Sequence, residues 1–226
     1  MKLLIDNRNV EFLYEKALFY TDRKILILGD LHFGKTNHFR RAGLPVPSGA
    51  NRKNNETLID LLARLKPERT IFLGDLFHSH YNEEWESVGQ IIRHYVACRF
   101  DLVRGNHDIM SAQQYSRYQI NVCDHLDIDS FWFTHEPLDF EKIPDGKINV
   151  AGHIHPGAHL QGKGRQAITL PCFWLSSRQL ILPAFGSFTG LASVHPQEGE
   201  KIFIVLENKI MEANLEARES KSRAVS

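Results

Sequence analysis

Residues 24–33 read KILILGDLHF, an apolar run that ends in Gly-Asp-x-His. A short run of Ile and Leu bounded by Gly is typical of a buried strand. The same pattern of an apolar strand followed by polar side chains recurs at Gly74-Asp75, Gly105-Asn106-His107-Asp108, Thr134-His135 and Gly152-His153-Ile154-His155. Because the carboxyl ends of strands in an α/β sheet open onto one crevice, we expect these five groups to converge.

The spacing of apolar residues predicts an α/β fold. Strands are predicted at residues 24–28, 70–73, 101–103, 131–134 and 148–151, and helical periodicity predicts helices at 51–65 and 84–100. Further strands at 167–170, 179–183 and 201–206 have no helices between them, and residues 10–20 form another at the front. This pattern indicates a second sheet packed on the first. We expect one domain over residues 1–211, followed by a polar, disordered tail at 212–226.

Composition excludes several protein classes. The chain has 226 residues, of which 42% are hydrophobic and 24% charged, and its formal net charge is zero. Its three cysteines show no CxxC pairing, which fits a reducing compartment. The N-terminal apolar stretch stops after three residues, and no apolar run approaches the roughly 18 residues of a membrane span. We therefore expect a soluble cytoplasmic protein with no membrane partner.

The residue types at the strand ends favour a centre with two divalent ions. Carboxylate, carboxamide and imidazole groups without thiolates suit Mn²⁺, our first expectation, with Fe or Zn²⁺ as alternatives. Asp30 and His32 alternate along an extended segment, as do His153 and His155, so each pair is predicted to chelate from one side of a strand. The two oxygens of Asp75 can bridge two ions. Ions about 3.5–4 Å apart can together hold and activate a phosphate ester.

The ordered set of strand-end motifs resembles the calcineurin-like metallophosphoesterase superfamily over residues 24–156. A narrower resemblance, to the DNA-ligase-associated (PdeM-type) phosphoesterases, covers nearly the whole chain. It is carried by DLHFGK at 30–35, FRRAGLPVP at 39–47, HEP at 135–137, GHIHP at 152–156, LPCF at 170–173 and LPAFG at 182–186. Two residues depart from the pattern: Gly29 stands where Ala is expected, and Phe33 where Leu is expected.

The resemblance implies a fold, a ligand set and a partner context. The fold is a two-sheet β-sandwich flanked by helices, in four αββα layers. One ion would be held by Asp30, His32, Asp75 and His155, and the other by Asp75, Asn106, His135 and His153. The resemblance also implies that His107 faces the substrate phosphate and that Asp108 orients His107. A functional association with DNA ligase and helicase is implied as well.

The distribution of charge bears on the substrate. Residues 31–55 and 146–197 contain five and four basic residues, respectively, and no Asp or Glu. Lys35, Arg40 and Arg41 follow the first metal motif and are predicted to bind backbone phosphates.

The preferred function is therefore a two-metal phosphodiesterase, a nuclease associated with DNA repair. The alternatives are a small-molecule phosphoesterase and a non-catalytic scaffold, although a scaffold should lack some ligands and here all are present. The sequence leaves open DNA against RNA, endonuclease against exonuclease action, and the oligomeric state.

Overall fold

The computed structural model describes residues 1–35, 50–77, 83–162, 166–187 and 189–213. Within these ranges the strands are β1 Lys2–Ile5, β2 Arg8–Leu13, β3 Ala17–Tyr20, β4 Ile25–Gly29, β5 Arg69–Leu73, β6 Arg99–Val103, β7 Ile120–Cys123, β8 Leu126–Ile128, β9 Phe131–Phe133, β10 Ile148–Ala151, β11 Pro156–Gln161, β12 Ala167–Leu175, β13 Gln179–Ile181, β14 Ala192–Ser193, β15 Lys201–Val205 and β16 Ile210–Ala213. The α-helices are α1 Ala50–Leu65, α2 Glu83–His94 and α3 Ala112–Arg117, and short 3-10 helices lie at Thr21–Arg23 and Phe140–Lys142.

The first sheet has seven strands in the order β1 to β7. Neighbouring strands are antiparallel from β1 to β4 and parallel from β4 to β7. In the parallel part, Gly29 is paired with Leu73, and Leu73 with Val103. Strands β4, β5 and β6 therefore end at the same level, which brings the polar residues that follow them to one edge of the sheet.

The second sheet has nine strands, with β10 lying parallel to both β9 and β13. It meets the first sheet where Gly29 forms an isolated parallel bridge with Ala184. There the N–H of Phe185 donates a hydrogen bond to the carbonyl of Gly29, at 2.8 Å. The ends of β4 and β10 thus lie close together, and residues that follow strands of different sheets can share one site.

Two hydrophobic layers hold the fold together. Between the sheets, Phe12 stacks on Phe173 with ring centroids 4.3 Å apart and packs edge-on against Phe203. On the other face of the first sheet, the core includes Leu58 of α1 and Trp85 of α2, and α3 contributes to it as well. In the described part of the chain all three α-helices lie on this side. The predicted two-sheet sandwich flanked by helices is confirmed.

The structure differs from several of the predicted bounds. Residues 10–20 form the hairpin β2–β3 rather than one strand, with a turn at residues 14–16 in which Lys16 has a left-handed backbone (φ 63°). Helix α2 ends at His94 and not at residue 100, because residues 95–98 turn back before β6 begins. Strand β16 continues to Ala213, two residues into the predicted tail, while residues 214–226 lie outside the described residues.

Candidate metal centre

The structure brings the predicted metal-binding side chains together in two groups. Each group offers one ligand atom per residue, and the atoms of a group lie within 4.8 Å of one another. The first group is Asp30, His32 and His155, and the second is Asp75, His135 and His153. The amide oxygen of Asn106 lies 3.1 Å from Nε2 of His135, so this side chain adjoins the second group. The first group contains three of the four residues that the resemblance implies for one ion, and the second group together with Asn106 contains the four that it implies for the other.

Asp75 lies between the two groups. Its Oδ2 atom is 3.7 Å from Nε2 of His32, which belongs to the first group. Its Oδ1 atom is 3.6 Å from Nε2 of His135, in the second group. Because its two oxygens face opposite ligand groups, the Asp75 carboxylate has the geometry required of a bridge between two ions.

Main-chain carbonyls determine which nitrogen of two imidazoles faces the site. Nδ1 of His135 lies 2.9 Å from the carbonyl of Leu73, and Nδ1 of His155 lies 3.2 Å from the carbonyl of Gly190. A carbonyl can only accept a hydrogen bond, so the proton is assigned to Nδ1 in both rings. In the neutral ring Nε2 then carries the lone pair and faces the other ligands, which is the usual arrangement of a metal-binding histidine.

The electrostatics of the site fit a bound cation. Nε2 of His135 lies 3.1 Å from both the Asn106 oxygen and Nδ1 of His153, two side chains that are exposed. In the first group, Oδ1 of Asp30 and Nε2 of His155 are buried and have no hydrogen-bond partner among the described residues. Buried acceptors that face one another are costly unless a positive charge lies between them. The donor set therefore fits divalent ions.

The ligands lie on strained backbone, not on extended strands. Five of them have left-handed φ values between 48° and 67°: Asp30, His32, Asp75, His153 and His155. A non-glycine residue there costs on the order of 1–3 kcal/mol, and such residues cluster at functional sites. The prediction that Asp30 and His32, and likewise His153 and His155, alternate along extended segments was wrong. Asp30 and His32 still share a group, whereas His153 and His155 belong to different groups.

Hydrogen bonds between neighbouring loops hold this backbone in place. The N–H of His32 donates to the carbonyl of Asp75 at 2.8 Å. The N–H of His153 donates to Oδ2 of Asp30 at 2.8 Å, and the N–H of His107 donates to Oδ1 of Asp75 at 2.9 Å. Each carboxylate is thus oriented by a loop that follows a different strand, which links the ligand positions to one another.

Two glycines permit the close approach of these loops. A Cβ atom on Gly152 would lie 2.4 Å from Oδ2 of Asp30, and one on Gly74 would lie 2.1 Å from Nδ1 of His135. Gly74 also has a left-handed φ of 72°. Any side chain at either position would displace a ligand of the site.

The predicted catalytic pair takes up two different positions. The ring of His107 lies edge-on to that of His32, with centroids 5.7 Å apart, so it stands beside the first ligand group. Asp108 accepts hydrogen bonds from the N–H groups of Leu76 and Gly105, at 3.0 and 2.8 Å. Burial raises the pKa of the Asp108 carboxyl to about 6. Asp108 thus links the loop after β5 to the loop after β6, and both loops carry metal ligands. That Asp108 orients His107 stays a prediction.

Of the three basic residues predicted to bind substrate, the structure describes one. Lys35 is half-buried, and burial lowers the pKa of its amino group, while the nearby Asp75 and Asp30 carboxylates act in the opposite direction. Lys35 therefore lies within electrostatic reach of both ligand groups. Arg40 and Arg41 lie outside the described residues.

Several groups that support the ligands have no recognisable motif in the sequence. The Glu84 carboxylate, in the first turn of α2, is buried and accepts a hydrogen bond from the N–H of Gly34, just after the first metal motif. The Gly190 carbonyl, which orients His155, comes from a loop without a recognisable motif. The 182–186 segment carries part of the resemblance but no predicted ligand, yet its last residue donates an N–H to the carbonyl of Asp30 at 3.1 Å.

Comparison with protein families identifies the chain. The model of the calcineurin-like phosphoesterase family matches residues 23–153. The chain belongs to this family. Members use divalent metals to hydrolyse phosphate esters, so the chain is a metallophosphoesterase whose two ligand groups are candidate metal sites.

No helix among the described residues is long and apolar enough to cross a membrane.

The chain is also similar to solved structures. The Pseudomonas putida nuclease MPE is 26% identical, with a TM-score of 0.76, and the match covers 91% of this chain and 96% of that one. The Escherichia coli phosphoesterase Yfce is 14% identical, with a TM-score of 0.43, and the match covers 84% of this chain and 97% of that one. The Aquifex aeolicus protein AQ665 is 21% identical, with a TM-score of 0.42, and the match covers 62% of this chain and 82% of that one. Both are weaker likenesses. Curated protein sequences give no match.

Proposed function

We propose that this metallophosphoesterase is a nuclease that hydrolyses phosphodiester bonds in DNA with two divalent ions. The observation that carries the proposal is the position of Asp75, whose two oxygens face the two ligand groups at 3.7 and 3.6 Å. The likeness to the Pseudomonas putida nuclease over nearly the whole chain supports a polynucleotide substrate. A centre for two ions is the usual means of stabilising in-line displacement at phosphorus.

Each side chain of the site has a proposed role. Asp30, His32 and His155 would hold one ion, Asn106, His135 and His153 the other, and Asp75 both. The ions, when bound, would supply charge neutralisation at the phosphate and an activated water. His107, beside His32, would donate a proton to the leaving oxygen, and Asp108 would keep the loop of His107 in position through its bonds to the main chain. Mn²⁺ is the proposed native metal.

The proposal of a DNA substrate also rests on local positive charge. Lys35 lies within electrostatic range of both ligand groups, and the acid-free stretches 31–55 and 146–197 contain the first and last metal motifs. A long phosphodiester would cross these stretches and release counterions. We further propose action in DNA repair in the cytoplasm, in association with DNA ligase and helicase.

A substrate screen tests the proposal. Protein reconstituted with Mn²⁺ would be assayed on linear and circular single-stranded DNA, duplex DNA, RNA, and chromogenic mono- and diesters. Cleavage of DNA that exceeds hydrolysis of the small esters in kcat/KM is the expected result, and cleavage of circles would identify an endonuclease. Hydrolysis of the small esters alone would favour the small-molecule phosphoesterase instead.

A salt series separates the two substrate classes further. Binding of an oligonucleotide should weaken steeply with salt, while hydrolysis of a chromogenic diester should respond little. The double substitution Arg40→Ala and Arg41→Ala should weaken binding of the oligonucleotide more than it lowers hydrolysis of the chromogenic diester. A flat salt response, with equal losses on the two substrates, would reject the polynucleotide.

A further inference from the structure

A pocket of about 420 Å³ lies between the β2–β3 turn, the first turns of α1 and the loop after β15. It contains none of the metal ligands. Its walls combine basic, amide, hydroxyl and apolar side chains, among them Lys16, Lys53, Asn54, Pro171, Phe185 and Ser187. The metal centre does not account for this combination.

The pocket and the metal centre share one wall. The N–H of Phe185 donates to the carbonyl of Gly29 at 2.8 Å, and the N–H of Gly186 donates to the carbonyl of Asp30 at 3.1 Å. From the pocket side, Nζ of Lys16 donates to the carbonyl of Gly186 at 3.2 Å. The same short segment therefore lines the pocket and holds the backbone of a metal ligand.

Two amino groups, those of Lys16 and Lys53, line the pocket together with two carboxylates. Lys16 is partly buried, and burial, together with the charge of Lys53, lowers its pKa to about 8. The Lys16 ammonium is thus poorly solvated and is repelled by its neighbour, and an anion between the two would relieve both costs. Of the two carboxylates in the lining, Glu15 is paired with Arg64, whereas Glu207 is exposed.

Uncharged groups complete the pocket. The hydroxyl of Ser187 donates to Oδ1 of the buried Asn54 at 2.6 Å, and both side chains line the pocket. Phe185 and Pro171 supply apolar surface. The volume falls in the range of small-molecule sites, about 300–1,000 Å³, and is larger than a bare phosphate requires.

We propose that this pocket binds a phosphate-bearing nucleotide unit, with Lys16 and Lys53 contacting the phosphate and the apolar wall contacting the nucleoside. The proposal rests on the proposed function, which brings nucleotides to this face of the molecule. The unit comes either from a strand that extends beyond the metal centre or from a free mononucleotide. The segment that lines the pocket also holds the main chain of Asp30, so a ligand in the pocket would affect the position of Asp30.

Calorimetric titration of metal-free protein tests the pocket separately from catalysis. With EDTA present, thymidine 5′-monophosphate is titrated into wild type, Lys53→Gln and Lys66→Gln. Both lysines are exposed, so neither substitution should impair folding, and Lys66 follows the same helix without lining the pocket. Lys53→Gln should weaken binding about tenfold, the effect of one charge-assisted hydrogen bond, and Lys66→Gln should not. Thymidine and inorganic phosphate should each bind more weakly than the nucleotide.

A pentathymidylate identifies the source of the ligand. Tighter binding than that of the mononucleotide, again weakened by Lys53→Gln, would show that the pocket takes a unit of a longer strand. Equal binding would indicate the free nucleotide. Absence of saturable binding, equal binding by the two variants, or phosphate binding as tightly as the nucleotide would overturn the proposal. Nuclease assays on the same variants, after EDTA is removed and Mn²⁺ is restored, separate the two hypotheses, because activity without nucleotide binding rejects only the pocket.

Discussion

Nε2 of His155 lies 3.4 Å from Oδ1 of Asp30, although the two residues are 125 positions apart in the chain. Neither atom has a hydrogen-bond partner in the described part of the protein, and both are buried. Nδ1 of His155 faces the Gly190 carbonyl, so Nε2 is directed at the carboxylate with its lone pair. Such a contact between two acceptors is stable when a cation lies between them.

Asp75→Asn should weaken binding of both ions. The substitution removes the negative charge that faces both ligand groups while keeping the size of the side chain. We expect a loss of metal affinity of at least about tenfold, since even groups that only support ligands contribute about 10–100-fold. Metal titration by calorimetry measures this loss. Asp127→Asn, in an exposed pair with Lys147, is the matched control, and an equal effect in both variants would argue against a bridge.

His107→Ala should separate catalysis from metal binding. His107 stands beside His32 but belongs to neither ligand group, so both ions should remain. Loss of a proton donor should lower kcat by about 10²–10⁴-fold. Metal content and turnover would be measured on the same preparation, with the exposed His94→Ala as control. Loss of the ions in His107→Ala would show that the residue is a ligand and not an acid.

Gly152→Ala should disrupt the first ligand group without unfolding the protein. The added methyl would lie 2.4 Å from Oδ2 of Asp30, whereas a methyl on Gly29 would have its nearest neighbour at 3.6 Å, an ordinary contact. Gly29→Ala is therefore the matched control, and it should keep both metal affinity and activity. Metal titration and circular dichroism on the two variants make the comparison. Full metal affinity in Gly152→Ala would contradict the geometry of the site.

The ionised Asp129 carboxylate should stabilise the folded protein, and this stabilisation should be lost at acid pH. Hydrogen bonds from Arg23 and from the Tyr20 hydroxyl lower the pKa of this carboxyl and join the two sheets. Because the folded-state pKa lies below the unfolded value near 3.9, the stabilisation is complete above that pH and is lost as the pH falls towards the folded pKa.

Asp129→Asn should therefore lower the Tm at pH 7, and the difference from wild type should shrink below about pH 4. Asp139→Asn, in an exposed pair with Lys142, should change the Tm little at either pH. Thermal unfolding across a pH series measures both. A difference that persists unchanged at acid pH would rule out a charge effect.

The ligand groups could be predicted from the sequence because each ligand motif closely follows an apolar strand. Asp30, Asp75 and Asn106 are placed at one edge by the aligned ends of β4, β5 and β6, which strand pairing determines. Their backbone conformation could not be predicted. An Asp-x-His pair looks the same in sequence whether it is extended or left-handed, and only packing of the loops selects the left-handed form.

The hairpin β2–β3 shows a second limit of sequence patterns. Its turn contains no Gly, Pro or Asn, and Lys16 adopts the left-handed position that Gly usually takes in a three-residue hairpin loop. The carbonyl of Gly186, which the Lys16 amino group contacts, is 170 residues away. A tertiary contact of this kind leaves no local signal, so residues 10–20 looked like one continuous strand.

Anomalous diffraction from crystals soaked in Mn²⁺ tests the central claim most directly. Two peaks should appear about 3.5–4 Å apart. One should lie within reach of Asp30, His32 and His155, the other within reach of His135 and His153, and Asp75 should contact both. A single peak, or peaks away from Asp75, would contradict the two-ion centre.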